Sequence, residues 1–231
     1  MFIQYKNINF NSKNEIINNW IKNYPRSKKL KIKNIMTIDN DSPELDYQIS
    51  KYFKNCERYY IIHTNYDLYK NSIDKLFGKF NFKISYNDIF DYELDPYISY
   101  DLIIFFKNFK LDQDISSFIK KTFEFINNDG LILIITCKNN KFVVETRNFF
   151  NLNFISDSEF KENLNIECKI FNTIIPTYLN IDKLTKNEMF KFTNVELDEE
   201  KIKKFKNYAL QKYGRHVCVP ISFIILSKLK I

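Results

Sequence analysis

The sequence lacks small residues. Glycine occurs 3 times in 231 residues, proline 5 times and tryptophan once, and alanine is nearly absent. So few glycines exclude collagen-like or glycine-rich low-complexity architectures. The 4 cysteines, Cys56, Cys137, Cys168 and Cys218, are far apart and form no CxxC pair. That spacing excludes the usual zinc motifs and a dense disulfide framework, and it predicts reduced, mostly buried thiols of a cytoplasmic protein. Long apolar runs are missing too. "LILIITC" and "ISFIIL" are strand-sized and far below bilayer length, and the opening "MFIQYKNINFNSKNE" has no apolar core of signal-peptide length.

Aromatic residues, by contrast, make up 17% of the chain, nearly all of them Phe and Tyr. Hydrophobic residues total 45% and charged ones 27%, an ordinary soluble balance for a chain long enough to build a real core. The composition, rich in Lys, Asn, Ile, Phe and Tyr, matches AT-rich coding. The net charge of +7 favours acidic partners, including nucleic acid, by long-range attraction.

Periodicity organises the chain into alternating strands and helices. Ile16, Ile17, Trp20, Ile21 and Tyr24 predict an amphipathic helix over 13–24, broken by "YPRSKK". Residues 31–38 read as a strand. Asp41 or Ser42 then caps a helix, with Pro43 in its first turn, Glu44 completing a capping box from Asp41, and Leu45, Ile49 and Phe53 on its apolar face. Further strands are expected at "RYYIIHT", "NFKISYN", "YDLIIFF" and "LILIITC". A helix carrying Ile115, Phe118, Ile119, Thr122, Phe123 and Ile126 on one face precedes the last of these, stopped by "NNDG" with Gly130 as a left-handed cap. A helix follows at 141–150. "IECKIFNTIIPTYLNI" suggests an antiparallel strand with a loop, "DKLTKNEMFKF" and "LDEEKIKKFKNYALQKYG" suggest helices, and "VCVPISFIILSKL" is a closing strand interrupted at Pro220. Strand–helix alternation at this spacing predicts α/β crossover units and a parallel sheet covered on both faces.

The segment "YDLIIFFKNFKLDQDISSFIKKTFEFINNDGLILIIT" resembles the fourth strand, helix, turn and fifth strand of class I S-adenosylmethionine (SAM)-dependent methyltransferases. "FKISYNDIFDY" looks like that family's third strand, with Asp88 where an acid often lies near the adenine. Within the class, "LKIKNIMTIDNDSPELDYQISKYF" is most similar to the histamine N-methyltransferase group. The resemblance implies one Rossmann-like methyltransferase domain over residues 1–231, with a mostly parallel sheet, a final antiparallel strand and helices on both faces. Residues 1–30 would be an N-terminal helical segment, 31–156 the core, and 157–231 a substrate-covering or partner-binding region with the last strand.

The implied cofactor is SAM, and here the sequence departs from the family. The glycine-rich turn after the first strand is replaced by Asp39, Asn40, Asp41, Ser42 and Pro43. Added Cβ atoms narrow the approach, Pro43 removes an amide donor, and Asp39 and Asp41 put negative charge where the cofactor's carboxylate would sit. Two like charges at ~4 Å repel by about 4 kcal/mol at a dielectric near 20. That is half of the roughly 8 kcal/mol behind micromolar affinity. The family's ribose-binding acid has Asn65 as its nearest match, with Asp67 slightly late, and Asp88 is retained. Gly78, Gly130 and Gly214 stand at turn positions, so the chain encodes glycine where its backbone needs it.

Three functions are compatible with these residues. The lost glycines favour a pseudo-methyltransferase acting as a binding or accessory subunit for a protein partner, with no cofactor. The histamine-type ordering favours an active small-molecule N-methyltransferase. The net charge favours an RNA-associated methyltransferase or its accessory subunit. Methyl transfer needs alignment more than a residue constellation, so no catalytic residue is assigned. Phe106 would stack near the transfer site, with Lys107, Asn108 and Tyr178 facing substrate or partner, and packing is the competing role for Phe106 and Tyr178. His63 and His216 are packed or solvated histidines before they are catalytic ones. The late helix over "DEEKIKKFKNYALQKYGR" carries a basic stripe with Tyr208 and Tyr213, open to RNA or simply solvated. No membrane partner is expected.

Overall fold

A computed structural model describes residues 13–27, 31–87, 97–106, 115–137, 141–152, 168–175, 178–186, 189, 197–219 and 221–228. Its elements are α1 (Lys13–Ser27), β1 (Asn34–Ile38), α2 (Pro43–Tyr52), β2 (Arg58–His63), α3 (Tyr66–Leu76), β3 (Phe82–Tyr86), β4 (Tyr100–Phe105), α4 (Ile115–Glu124), β5 (Ile126–Cys137), α5 (Lys141–Phe149), β6 (Cys168–Ile175), β7 (Tyr178–Asn180), α6 (Glu199–Tyr213), β8 (His216–Cys218) and β9 (Ile221–Lys228).

Seven strands form one sheet in the order β3-β2-β1-β4-β5-β9-β6. β1, β2, β3, β4 and β5 pair in parallel, while β9 runs antiparallel to both β5 and β6. This is the mostly parallel sheet with a final antiparallel strand that the sequence predicts. Alternate residues along each strand feed two apolar layers. Ile35, Tyr59, Ile61, Leu102, Ile104, Leu133 and Phe223 pack under α1, α2 and α3. Met36, Ile38, Ile62, Ile103, Phe105, Ile132 and Ile134 pack on the other face with Ile119 of α4. Each fully buried Ile or Phe contributes about 1.5–3 kcal/mol of apolar transfer, which is why both faces of the central strands are apolar.

Several local expectations change. The first helix continues past Tyr24 and Pro25 to Ser27. Trp20 stacks on Tyr24 at 4.6 Å and on Phe223 of β9 at 5.0 Å, which holds that last turn on the sheet. "NNDG" does not end a helix with a left-handed glycine. α4 ends at Glu124, Ile126 belongs to β5, and Gly130 lies in that strand. The register shifts between Tyr100 and Leu102 opposite it. A Cβ on Gly130 would sit 2.6 Å from Ile126 Cγ1 and 2.9 Å from the Tyr100 carbonyl oxygen, so close approach and not turn geometry demands glycine there. Gly78 and Gly214 do adopt positive φ after α3 and α6. The closing strand expected across Pro220 is divided: β8 pairs with β7 in a separate two-stranded sheet, and β9 joins the main one. Of the helix expected over 182–192, the described part begins as a single 3-10 turn, Ile181–Lys183.

Opposite the site end of the sheet, Asp101 ties three strands together. Its Oδ2 accepts from the backbone amides of Lys33 and Asn34 at 2.7 and 2.9 Å, and its Oδ1 accepts from Asn127 Nδ2 at 2.5 Å.

Candidate functional site

In an open parallel sheet, ligands bind beyond the carboxyl ends of the strands, where the strand order reverses. Here that point lies between β1 and β4, and the turn after β1 borders it. The backbone closes tightly around this edge. The Phe106 amide donates to the Ile38 carbonyl at 3.0 Å, and the Asp39 amide donates to the Ile62 carbonyl at 2.9 Å.

Asp39 turns inward. It adopts a left-handed backbone, φ 53°, and is only 7% exposed. Its Oδ1 accepts from the Thr64 amide at 2.7 Å and its Oδ2 from Thr64 Oγ1 at 2.8 Å. The carboxylate therefore clasps the ends of β1 and β2. A left-handed backbone at a non-glycine residue is uncommon, and a short polar side chain that bonds locally makes it tolerable.

Asn40 is buried and folds back on the turn. Its Nδ2 donates to the Ser42 carbonyl at 2.9 Å, and its Oδ1 accepts from the Ser42 amide at 3.1 Å. Pro43 is buried at the first helical position. The capping box expected from Asp41 and Glu44 is not formed. The N-cap is Ser42, which makes no side-chain capping bond. That shifts Glu44 to the second helical position, one short of where a capping box needs its acid. Glu44 instead accepts from Lys75 of α3 at 2.7 Å, and that bond holds its carboxyl below the usual range.

Beneath the turn lies a buried acid that sequence reasoning missed. Asp46 is fully buried on α2. Its Oδ1 accepts from Tyr59 at 2.8 Å and Thr37 at 2.9 Å, while its Oδ2 has no partner. Burial pushes the carboxyl up to about 7 against the pull of those hydrogen bonds, and the nearby Asp41 charge adds to the rise. A signal was present: Asp46 sits three residues before Ile49, on the apolar side of the helix. Thr64 carried no comparable signal, because its contact with Asp39 spans 25 residues.

The remaining sequence-predicted residues scatter. Asn65 stands at the expected end of β2, but its Oδ1 caps α3 by accepting from the Leu68 amide at 3.1 Å. Asp67 is exposed in the first turn of α3. Phe106 is half-buried at the end of β4 and packs against the core beneath α1–α3. Asp88, Lys107 and Asn108 lie outside the described residues. Tyr178 begins β7 and pairs with Cys218 in the small sheet, and His216 is exposed opposite Asn180 there. Neither is in register with the strands of the crevice. His63 is buried, 2.8 Å from Ser72 of α3, and burial pushes its imidazole down to about 4, partly offset by the Asp39 charge. It packs instead of facing the crevice. Among the described residues, no group of three His, Cys, Asp or Glu is placed to hold a metal.

The strand order and the crevice position place the chain among known architectures. Its backbone is similar to the YcgJ protein from Bacillus subtilis, with a TM-score of 0.66 and 11% identity over 92% of this chain and 99% of that one. It is also similar to coclaurine N-methyltransferase bound to N-methylheliamine and SAH, at 0.57 and 15% over 96% and 75%. The plantazolicin methyltransferase BpumL in complex with SAH aligns at 0.56 and 12% over 92% and 82%. The chain has the class I methyltransferase fold. No protein-family model matches the sequence, and no curated protein matches it. Within this fold, the turn Asp39–Pro43 follows β1 and Phe106 follows β4, the two strands between which the strand order reverses.

Proposed function

We propose that this protein is a non-catalytic methyltransferase-fold subunit whose cofactor crevice is closed from within, and that it serves as a binding or accessory partner of another protein. The observation that carries this reading is Asp39, whose carboxylate is buried at the crevice with both oxygens bonded to Thr64. The residues present do not fit the amino-acid end of SAM. A cofactor carboxylate would meet a buried like charge, the Ser42 amide is already taken by Asn40, and Pro43 has no amide to offer. Asn65, the nearest match to the ribose-binding acid, spends its oxygen on capping α3.

Calorimetric titration with SAM and S-adenosylhomocysteine tests this. The expected result is no saturable heat with either compound up to 1 mM, on the order of a hundred times a micromolar-scale dissociation constant of about 10 μM. Micromolar binding of either one would overturn the proposal. It would favour an active N-methyltransferase, the reading that similarity to coclaurine N-methyltransferase across nearly the whole chain supports.

A further inference from the structure

The basic stripe of α6 is largely neutralised. Lys201 pairs with Asp198 at 3.3 Å, Lys204 with Glu200 at 2.7 Å and Lys212 with Glu145 at 2.7 Å. Tyr208 and Tyr213 both donate to Glu145. On a different surface two lysines form no ion pair among the described residues. The C-terminal end of α3 packs beside α2, where Lys75 already pairs with Glu44. There Lys51 sits 4.2 Å and Lys79 5.7 Å from the centre of one ring, Tyr47. The two ammonium groups are therefore no farther apart than the sum of those distances. Neither has a carboxylate within ion-pair distance among the described residues. Lys22 of α1 lies 5.3 Å from the Tyr52 ring, and Lys54 is exposed in the turn after α2.

Two residues before Lys79 stands Phe77, 87% exposed. It is held in a defined turn: its amide donates to the Ile73 carbonyl at 3.1 Å, Gly78 follows at φ 72°, and the Lys79 amide returns to Leu76 at 3.0 Å. An exposed Phe forgoes roughly 2 kcal/mol of burial. Like charges separated by on the order of a Debye length, about 8 Å at physiological salt, still repel, and a bound anion relieves that repulsion.

The geometry points to a binding surface for single-stranded nucleic acid on this face, with Lys22, Lys51, Lys54 and Lys79 on phosphates and Phe77 stacked on an unpaired base. Several cations, on α1, on α2 and in the turns after α2 and α3, suit a repeating polyanion better than one small anion. A free ring flanked by lysines suits a base, and only an unpaired base offers its face. An anionic bilayer would reward several inserted apolar side chains, not one ring.

The test is fluorescence anisotropy of the full chain with a labelled uridine dodecamer across a salt series. Lys51→Ala/Lys79→Ala should weaken binding at least tenfold and lower the slope of log K against log salt by about 1.4, at roughly 0.7 per lost single-strand contact. Phe77→Ala should weaken it roughly tenfold and Phe77→Trp should restore it. Lys183→Ala/Lys203→Ala removes the same charge elsewhere and should stay within twofold. All four residues are exposed, and unchanged thermal melting verifies each fold. The proposal fails if the unsubstituted protein does not bind, if both double variants lose affinity equally, or if a duplex of equal length binds as tightly. It also fails if anionic phosphatidylserine vesicles capture the protein and the dodecamer does not compete. None of these readouts involves the crevice or its cofactor.

Discussion

Asp46 and His63 are buried ionisable side chains with opposite tendencies. Asp46 is raised from 3.8 to about 7, so its folded state holds a proton that the unfolded chain releases. Its contribution to stability is complete below pH 3.8 and lost as pH rises through about 7. His63 is lowered from 6.5 to about 4, so its contribution is present above pH 6.5 and lost as pH falls through about 4. Each is worth at most roughly 3–5 kcal/mol, and between pH 4 and 6.5 they oppose each other. Removing one should unmask the other. Asp46→Asn is expected to lose stability on acidification from pH 6.5 to 4. His63→Gln is expected to lose it on going from pH 4 to 7. Urea unfolding at three pH values measures both slopes, and two variants with parallel profiles would show that these groups do not set the pH response.

At the scale of elements, Gly130 is the position where the backbone leaves least freedom. Gly130→Ala forces a methyl group against the Tyr100 carbonyl and Ile126, and β4 and β5 must part to admit it. We expect about 2–3 kcal/mol of destabilisation, read as a lowered urea midpoint with an unchanged m-value. Gly78→Ala meets no atom within 4 Å and is expected to cost less, mainly through its positive φ. The sequence identified Gly130 as special but for the wrong reason. "NNDG" has the composition of a helix stop, and only the pairing of β5 with β4 shows a strand passing close to another backbone. The strands themselves were legible because "YDLIIFF" and "LILIITC" are apolar throughout, as double burial requires. The capping of α2 was not legible, since Asp41 and Ser42 are both good caps and a one-residue shift decides whether Glu44 can join. Asp39 was legible as an acid in the turn after the first strand. Its bond to Thr64 was not, because it depends on β1 and β2 ending side by side.

Across the whole molecule, acids border the turn after β1 and lysines follow the later turns of α2 and α3. Asp39 and Asp41 lie in the turn after β1 and Asp67 in the first turn of α3, whereas Glu44 is paired with Lys75 and Asp46 is pushed by burial toward its neutral form. Lys51, Lys54 and Lys79 lie in or after the last turns of α2 and α3. Part of this follows from helix dipoles, which favour acids at N-termini and bases at C-termini. The buried Asp39 exceeds that pattern, because its carboxylate serves the sheet and not a helix end. A cofactor whose carboxylate enters this turn therefore meets a local like charge at Asp39, even though the cofactor as a whole carries no net negative charge. Thermal stability reports the consequence without any need for turnover. A ligand present at a hundred times its dissociation constant stabilises by about 2.7 kcal/mol. For a chain of this size that raises Tm by roughly 5–10 °C. With 1 mM S-adenosylhomocysteine we expect a Tm shift below about 1 °C, equivalent to a dissociation constant in the millimolar range or weaker. A rise of several degrees would mean that the crevice accepts the cofactor despite Asp39, and that its acids face some other part of the ligand.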